Sequence, residues 1–447
     1  MTYSRMARVF FKTYGCSANV SDSEIMKGVL AKEGHVLAQC ADDAEVIVLN
    51  ICTVKGDAAA LREVRKVQEL FPEKKVVLAG CVTRSIVDAV RKTLPGAAFI
   101  NTHHVDKIGV AVDSVFLTPL EVLSGSRIEK PLLPKVRANQ TVGIIQCVTG
   151  CDSACAFCST KLVKGSTHSY SCESICKEVA DCVARGCRVI WITGTDMSCY
   201  GLDIGTNLPA LVEAVASVPG EFMVRVGMAN PKHVVKYAEH LARALQHPKV
   251  FKFLHVPVQS GNDHILNTMK RQHTIAQFRE IIALFRSMVP RITISTDLIA
   301  GFPGETEKEF EDSVQLLFDV RPVVVNISRF QARPGTVATR MPGQVQGNVS
   351  NERSRRLTQV FKQVALMQNK EWIGWEGDVV INEQVKHGAW CARNAWYKPI
   401  ILRGEYQLGQ SVHVKVIDAT AIDLRAVVCS EAEVADKKPE KPLSQDL

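Results

Sequence analysis

Three cysteines at 151, 155 and 158, spaced Cys-x3-Cys-x2-Cys, follow directly on a short apolar run at 141–146. The run reads as a strand, so Gly150-Cys151-Asp-Ser-Ala-Cys155-Ala-Phe-Cys158 forms the loop at its carboxyl end. Three thiolates on one tight loop can hold three irons of a [4Fe–4S] cube and leave the fourth iron without a protein ligand. A tetrahedral zinc or a closed ferredoxin-type cluster requires a fourth cysteine at short spacing. Cys147 is near in sequence but belongs to the strand. The alternative, three core cysteines, fits poorly with this spacing at a strand end. An open iron is what a chelating small molecule needs, and S-adenosylmethionine (SAM) is one that can bind there through its amino and carboxylate groups, so that an electron from the cluster can break its S–C bond.

Residues 8 to about 120 alternate β-rich runs at 8–14, 45–50 and 75–79 with helical segments at 21–33 and 57–70, a βαβ arrangement with a parallel sheet. Residues 129–135, with two prolines and mixed charge, read as a linker. Six strand candidates follow, at 141–146, 188–193, 223–228, 253–258, 291–296 and 323–328. Six such β-α units can close partly into a barrel, with the site at the strand carboxyl ends. Residues 351–370 read as one long helix opening on the basic run Arg353, Arg355 and Arg356. Short strands and turns from Trp372 predict a small all-β unit. The expected fold class is α/β. It comprises an N-terminal parallel αβ domain at 1–125, a linker at 126–137, a central partial (β/α)6 barrel at 138–371 and a small all-β barrel at 372–430. The polar, Pro-, Lys- and Glu-rich tail at 431–447 is expected to be disordered.

A second constellation is dispersed. Cys16 follows Val9-Phe-Phe-Lys-Thr-Tyr-Gly15, Cys52 follows Val46-Ile-Val-Leu-Asn-Ile51, and Cys81 follows Val76-Val-Leu-Ala-Gly80. Each stands at the carboxyl end of a strand in one parallel sheet, the edge at which such sheets bind ligands. From spacing alone two readings stay open: a metal site, or three buried cysteines packing as small hydrophobes.

The 447 residues are too many for one core, and 46% hydrophobic with 22% charged residues excludes a disordered, collagen-like or coiled-coil protein. No apolar run approaches the ~18 residues that span a bilayer. A net charge of +8 is compatible with an anionic partner without demanding one. Residues 8–14 read as a structural strand leading into Cys16, so no removable leader is expected there, and 15 cysteines in a large chain then point to a reducing compartment and to metal or redox chemistry.

The cysteine loop, with Phe157 just before its last thiol, resembles that of the radical SAM superfamily. The chain around it is similar to one branch, the methylthiotransferases. The matching stretches are Trp191-Ile-Thr-Gly-Thr-Asp196 with Tyr200-Gly201, Arg225-Val-Gly-Met-Ala-Asn-Pro231 and His255-Val-Pro-Val-Gln-Ser-Gly261. Further on come Asp297-Leu-Ile-Ala-Gly-Phe-Pro-Gly-Glu305 and Arg333-Pro-Gly-Thr336. The resemblance implies a radical SAM barrel at the centre and two [4Fe–4S] clusters, the second on Cys16, Cys52 and Cys81. One cluster then generates a 5′-deoxyadenosyl radical from SAM, the other delivers sulfur, and a further SAM donates the methyl group. All six cysteines are therefore expected to be catalytic and to ligate iron. Cofactor-binding roles are expected for Phe157, Gly194, Thr195, Asp196, Arg225, His255, Gln259 and Arg333, the last pairing with a SAM carboxylate or an RNA phosphate. The small β unit resembles a TRAM domain, an RNA-binding barrel. Its Trp390, Trp396 and Tyr397 interleave with Arg393 and Lys398, which suits either base stacking or a barrel core.

After the cysteine loop the chain reads Lys164-Gly-Ser-Thr-His-Ser-Tyr170, without the Glu and Arg-Pro of the bacterial enzymes acting on isopentenyladenosine. With Asp196 and Tyr200-Gly201 this resembles the archaeal and eukaryotic subgroup, which methylthiolates carbon 2 of N6-threonylcarbamoyladenosine at tRNA position 37. Members commonly have Ser-Glu-Asp where this chain has Gly194-Thr195-Asp196. The implied partners are tRNA, through its anticodon stem-loop, and an electron donor and a sulfur source of unidentified kind. The polar stretch at 438–447 does not read as a hydrophobic anchor, so no membrane attachment is expected, and the cytoplasm is the expected location. Alternatives are the same chemistry on isopentenyladenosine tRNA or a ribosomal protein, and a non-catalytic iron–sulfur carrier, which has no use for a SAM pocket. Cys40, Cys172, Cys176, Cys182, Cys187, Cys199, Cys391 and Cys429 read as structural, and His103-His104 as a solvated pair.

Overall fold

The computed structural model describes residues 5–53, 56–385 and 388–429; the tail at 431–447 lies outside the described residues. The N-terminal sheet contains β1 (Arg8–Thr13), β2 (Val36–Leu37), β3 (Val46–Ile51), β4 (Lys75–Gly80), β5 (Ala98–Ile100) and β6 (Glu121–Val122). All pair in parallel, in the order β2-β1-β3-β4-β5-β6. β3 is buried along its whole length. Its residues alternate between two cores, with Val46 and Val48 on one face and Ile47, Leu49 and Ile51 on the other.

Helix α1 (Ser17–Lys32) covers one face of this sheet and also packs on strands of the central domain. It begins four residues before the expected 21–33 because its N-cap is Cys16, whose side chain makes no capping bond and so leaves no signal in the sequence. Buried on two sides, α1 carries an unusual set of enclosed polar residues, including Ser21, Asp22, Ser23 and Glu24.

The central domain has β7 (Val142–Thr149), β8 (His168–Ser169), β9 (Val189–Gly194), β10 (Met223–Val226), β11 (Phe253–His255), β12 (Thr293–Ala300) and β13 (Val324–Arg329). Strands β7, β9 and β10 pair in parallel, and so do β11, β12 and β13. The two sheets meet where Val224 pairs with Val250. These are the six expected barrel strands, to which the short antiparallel β8 is added.

Residues 126–137 are not a loose tether. The Lys130 ammonium is fully buried and donates to Asp22 Oδ1 of α1 at 2.5 Å, Thr102 Oγ1 at 3.1 Å and Gln146 Oε1 of β7 at 3.3 Å. Gln146 Nε2 donates to the same Asp22 oxygen at 2.7 Å. Burial acts to raise the Asp22 pKa, but Lys130 and Lys164 outweigh it and hold the carboxyl below its ordinary value. Lys135 repeats the device, pairing with Glu178 and donating to Ile144 O at 3.1 Å.

β14 (Glu376–Gln384), β15 (Ala389–Arg393), β16 (Pro399–Arg403), β17 (Ser411–Ala419) and β18 (Leu424–Val428) close into a five-stranded barrel. Its aromatic residues are used for packing. Trp396 stacks edge-on against Trp372 at 5.2 Å and donates to Pro290 O of the central domain at 2.9 Å. Tyr397 is buried against Phe251 and Phe253, with ring centroids 4.8 and 5.0 Å away. Lys398 donates to Asn369 Oδ1 at 2.9 Å, and burial lowers its ammonium to about 7. Of the two readings of this segment, core and interface packing is the one observed.

The basic run is also largely spent internally. On the helix Gly347–Lys370, Arg353 is buried against Glu305 and Glu307, and Arg356 pairs with Glu311, which leaves Arg355 exposed. No helix among the described residues is long and apolar enough to cross a membrane.

Candidate functional site

Because β1, β3 and β4 are sheet neighbours running in one direction, the turns after them share an edge. Cys52 and Cys81 are buried there, and Cys16 is exposed in front of them. Two glycines make these turns possible. Gly15 and Gly80 have φ of +125° and +91°, and a Cβ on Gly80 would stand 2.1 Å from Asn50 Oδ1 and 2.7 Å from Ile51 O. Asn19 Nδ2 ties the turns together, donating to Asn50 Oδ1 and Ile51 O at 2.9 Å each. Gly80→Ala is expected to cost about 1–3 kcal/mol from the left-handed backbone alone. Chemical denaturation checks this, and an unchanged midpoint contradicts the geometry.

The Cys151, Cys155 and Cys158 loop lies across from this edge. All six cysteines line one cavity of about 590 Å³, within the range of small-molecule sites. The two domains meet at its wall through Ser17 Oγ and Thr193 Oγ1, 2.8 Å apart.

The donor set suits iron–sulfur clusters. Each trio offers soft sulfur ligands, the preference of iron–sulfur centres. Donors already point at the sulfurs: Ser153 N reaches Cys151 Sγ at 3.3 Å, and Arg271 Nη1 reaches Cys155 Sγ at 3.5 Å. A hydrogen bond from Cys52 is the largest influence on Cys16 and, with Lys164, pulls its thiol down to about 5 against burial. Burial pushes the Cys81 and Cys158 thiols up. Lys164, itself buried, faces this chemistry. Burial acts to lower its pKa, yet Cys81, Cys16 and Asp22 outweigh it and raise it.

Most residues expected to bind cofactor also line the cavity: Phe157, Gly194, Thr195, Asp196, Arg225, His255 and Gln259. Thr195 Oγ1 accepts from Gly150 N at 3.1 Å and so anchors the cysteine loop. Asp196 is nearly consumed by its own turn. Its Oδ1 accepts from Ser198 N, Ser198 Oγ and Asn230 N, while Cys151 and Cys199 Sγ donate to its Oδ2 at 3.6 and 3.4 Å. His255 Nε2 lies 2.9 Å from Asp297 Oδ1, which also accepts from Asn326 Nδ2 at 2.7 Å. Arg333 is not among the lining residues; its guanidinium lies against Gly56, near Asp57 and Cys52.

Sequence reasoning missed Lys164, Arg271 and Cys199 as members of this site. Lys164 lies on the short helix just after the cysteine loop, where it reads as one of two surface lysines with Lys161, Cys199 stands alone in its segment, and Arg271 reaches the cysteine loop from more than 100 positions away. The His103-His104 pair, expected in solvent, is buried, and burial with Lys130 nearby holds His103 down to about 4.

Two families match the chain: the Radical SAM superfamily over residues 145–317 and the uncharacterized protein family UPF0004 over residues 8–101. The chain is 36% identical over 411 residues to a protein of Pyrococcus horikoshii named probable threonylcarbamoyladenosine tRNA methylthiotransferase, covering 90% of this chain and 96% of that one. It is 34% identical over 460 residues to the threonylcarbamoyladenosine tRNA methylthiotransferase of Homo sapiens, covering 99% of this chain and 78% of the relative. Among solved structures, the radical S-adenosylmethionine methyltransferase TsrM from Kitasatospora setae, with cobalamin and a [4Fe-4S] cluster bound, superimposes with a TM-score of 0.52. That match covers 75% of this chain and 77% of the other at 13% identity, a likeness of fold alone.

Proposed function

The chain belongs to the threonylcarbamoyladenosine tRNA methylthiotransferase family, and from that premise we propose that it converts N6-threonylcarbamoyladenosine at tRNA position 37 to its 2-methylthio derivative. The observation that carries this reading is the convergence of six cysteines, from two domains, on one cavity. A radical SAM barrel implies SAM and one cluster on Cys151, Cys155 and Cys158; the cluster on Cys16, Cys52 and Cys81 is part of the proposal. When bound, these groups supply one-electron cleavage of SAM on one side and a sulfur atom on the other.

The chain's own residues do the rest. Arg271 and the Ser153 amide orient and hold the loop thiolates. Thr195 and Asp196 fix the loop against the end of β9. Lys164 brings positive charge to the N-terminal trio, and the domain seam at α1 keeps the two trios on one cavity. The anticodon stem-loop is the proposed RNA element, and the cytoplasm, where thiols stay reduced, is the proposed location.

Incubation of the anaerobically reconstituted protein with SAM, a strong reductant and a stem-loop carrying threonylcarbamoyladenosine tests the reading. Mass spectrometry of the digested RNA is expected to reveal 2-methylthio-threonylcarbamoyladenosine. Cleavage of SAM with no methylthio nucleoside from this RNA overturns the assignment of substrate.

A further inference from the structure

Arg225 stands in the cavity wall. It projects from β10, opposite Trp191 of β9. Its guanidinium lies 5.5 Å from the Trp191 ring centroid, 5.1 Å from that of Phe253 and 5.4 Å from that of Tyr397. Its Nε is buried without a hydrogen-bond partner, and among the described residues no carboxylate pairs with the guanidinium. Burial lowers its pKa, and the neighbouring Arg393 acts in the same direction. Cation–π contacts offset only part of the cost of enclosing such a charge, each contributing about 0.5–2 kcal/mol. A half-buried guanidinium that faces a cavity, with its Nε unpartnered and no acid beside it, can take an anion supplied from outside.

The position narrows the anion. Arg225, His255, Asn326 and Tyr397 line both the main cavity and a second one of about 310 Å³ that runs between the central domain and the C-terminal barrel. Tyr397 is pinned in this wall at φ +60°, its carbonyl accepting from Arg393 Nη1 at 3.0 Å. The C-terminal barrel therefore contributes a ring to the wall of the reaction cavity. In the substrate proposed above, carbon 2 and the N6 substituent flank N1 of the purine. With carbon 2 turned toward the cysteines, the N6 group extends toward another part of the wall. That group ends in a hydroxyl and a carboxylate.

We propose that Arg225 is a specificity residue that binds the carboxylate of the N6-threonylcarbamoyl group, with His255 and Asn326, both bonded to Asp297, on the same wall and Tyr397 of the C-terminal barrel stacked on its guanidinium. This rests on the function proposed above. It gives the C-terminal barrel a part in choosing the modified base, beyond any role in holding RNA.

The test uses reconstituted full-length protein and two anticodon stem-loops, one with threonylcarbamoyladenosine and one with the corresponding carboxamide, which keeps the shape and removes the charge. Wild type is expected to prefer the carboxylate RNA by about tenfold to a hundredfold in affinity and in kcat/KM, the range of a charge-assisted hydrogen bond. Arg225→Met is expected to reduce this preference to about onefold, and Arg225→Lys to keep part of it. A thermal melt shows whether each variant is folded. The proposal is overturned by an Arg225→Met protein that keeps the preference, or by one whose affinity for SAM falls while the preference stays, which makes Arg225 a SAM residue. Methylthiolation of neither RNA by wild type sinks the proposed function and this inference with it. A preference independent of Arg225 sinks the inference alone.

Discussion

Replacing Cys16, Cys52 and Cys81 together by Ala is expected to abolish the methylthio nucleoside while SAM is still cleaved to 5′-deoxyadenosine. The two trios belong to separate structural units. The first stands on the edge of a parallel sheet with its own two cores, and the second on a loop after β7, braced by Arg271, Ser153 and Thr195. None of those braces touches the sheet edge. Removing the first trio therefore leaves the SAM-cleaving loop supported and takes away the proposed source of sulfur. The reciprocal change of Cys151, Cys155 and Cys158 to Ala is expected to stop both reactions, because nothing then breaks SAM. Quantifying 5′-deoxyadenosine and modified nucleoside in the same reaction separates the outcomes. Full methylthio product from the Cys16/Cys52/Cys81 variant would falsify the division of labour.

The second large effect concerns the seam. Asp22 and Lys130 face one another with almost no solvent contact, and each is also bonded to groups from the other domain or the connecting segment. The survivor is left in an enclosed site without its counter-ion. Asp22→Ala or Lys130→Met alone is therefore expected to lower stability by about 3–5 kcal/mol, the cost of stranding a buried charge. The pair together need not be worth that much, since both ions were desolvated to form it. Asp22→Leu combined with Lys130→Met is accordingly expected to recover most of the loss. Urea denaturation of the three variants measures this. Single variants within about 0.5 kcal/mol of wild type, the range of ordinary surface changes, contradict the seam as described.

The same seam marks where sequence reasoning stopped. Period and motif made the strands legible, and the helix Asp57–Leu70 was readable to its ends because an acidic first turn and an amphipathic face announce it. The Cys151, Cys155 and Cys158 trio was legible from its spacing on one loop, whereas Cys16, Cys52 and Cys81 each follow a separate strand and needed the family resemblance to separate a metal site from three packed thiols. Lys130 was not legible. In a stretch with two prolines it reads as a solvated linker charge, and only the packing of α1 against β7 encloses it. Arg271 and Lys164 escaped for a related reason: neither carries a pattern that sets it apart from a surface base, and the sulfurs near it are brought there by the fold. The aromatic run at Trp396 and Tyr397 suits both a nucleic-acid face and a domain interface, and only the positions of Phe251, Phe253 and Pro290 separate the two.

The account turns on two clusters sharing one chamber, and reconstituted protein can be asked for this directly by iron analysis with electron paramagnetic resonance of the reduced state. About eight irons per chain and a spectrum broadened by coupling between two reduced clusters are predicted, both collapsing to a single isolated cluster with about four irons when Cys16, Cys52 and Cys81 are Ala. About four irons in the wild-type chain, or two clusters with no magnetic interaction, would contradict it.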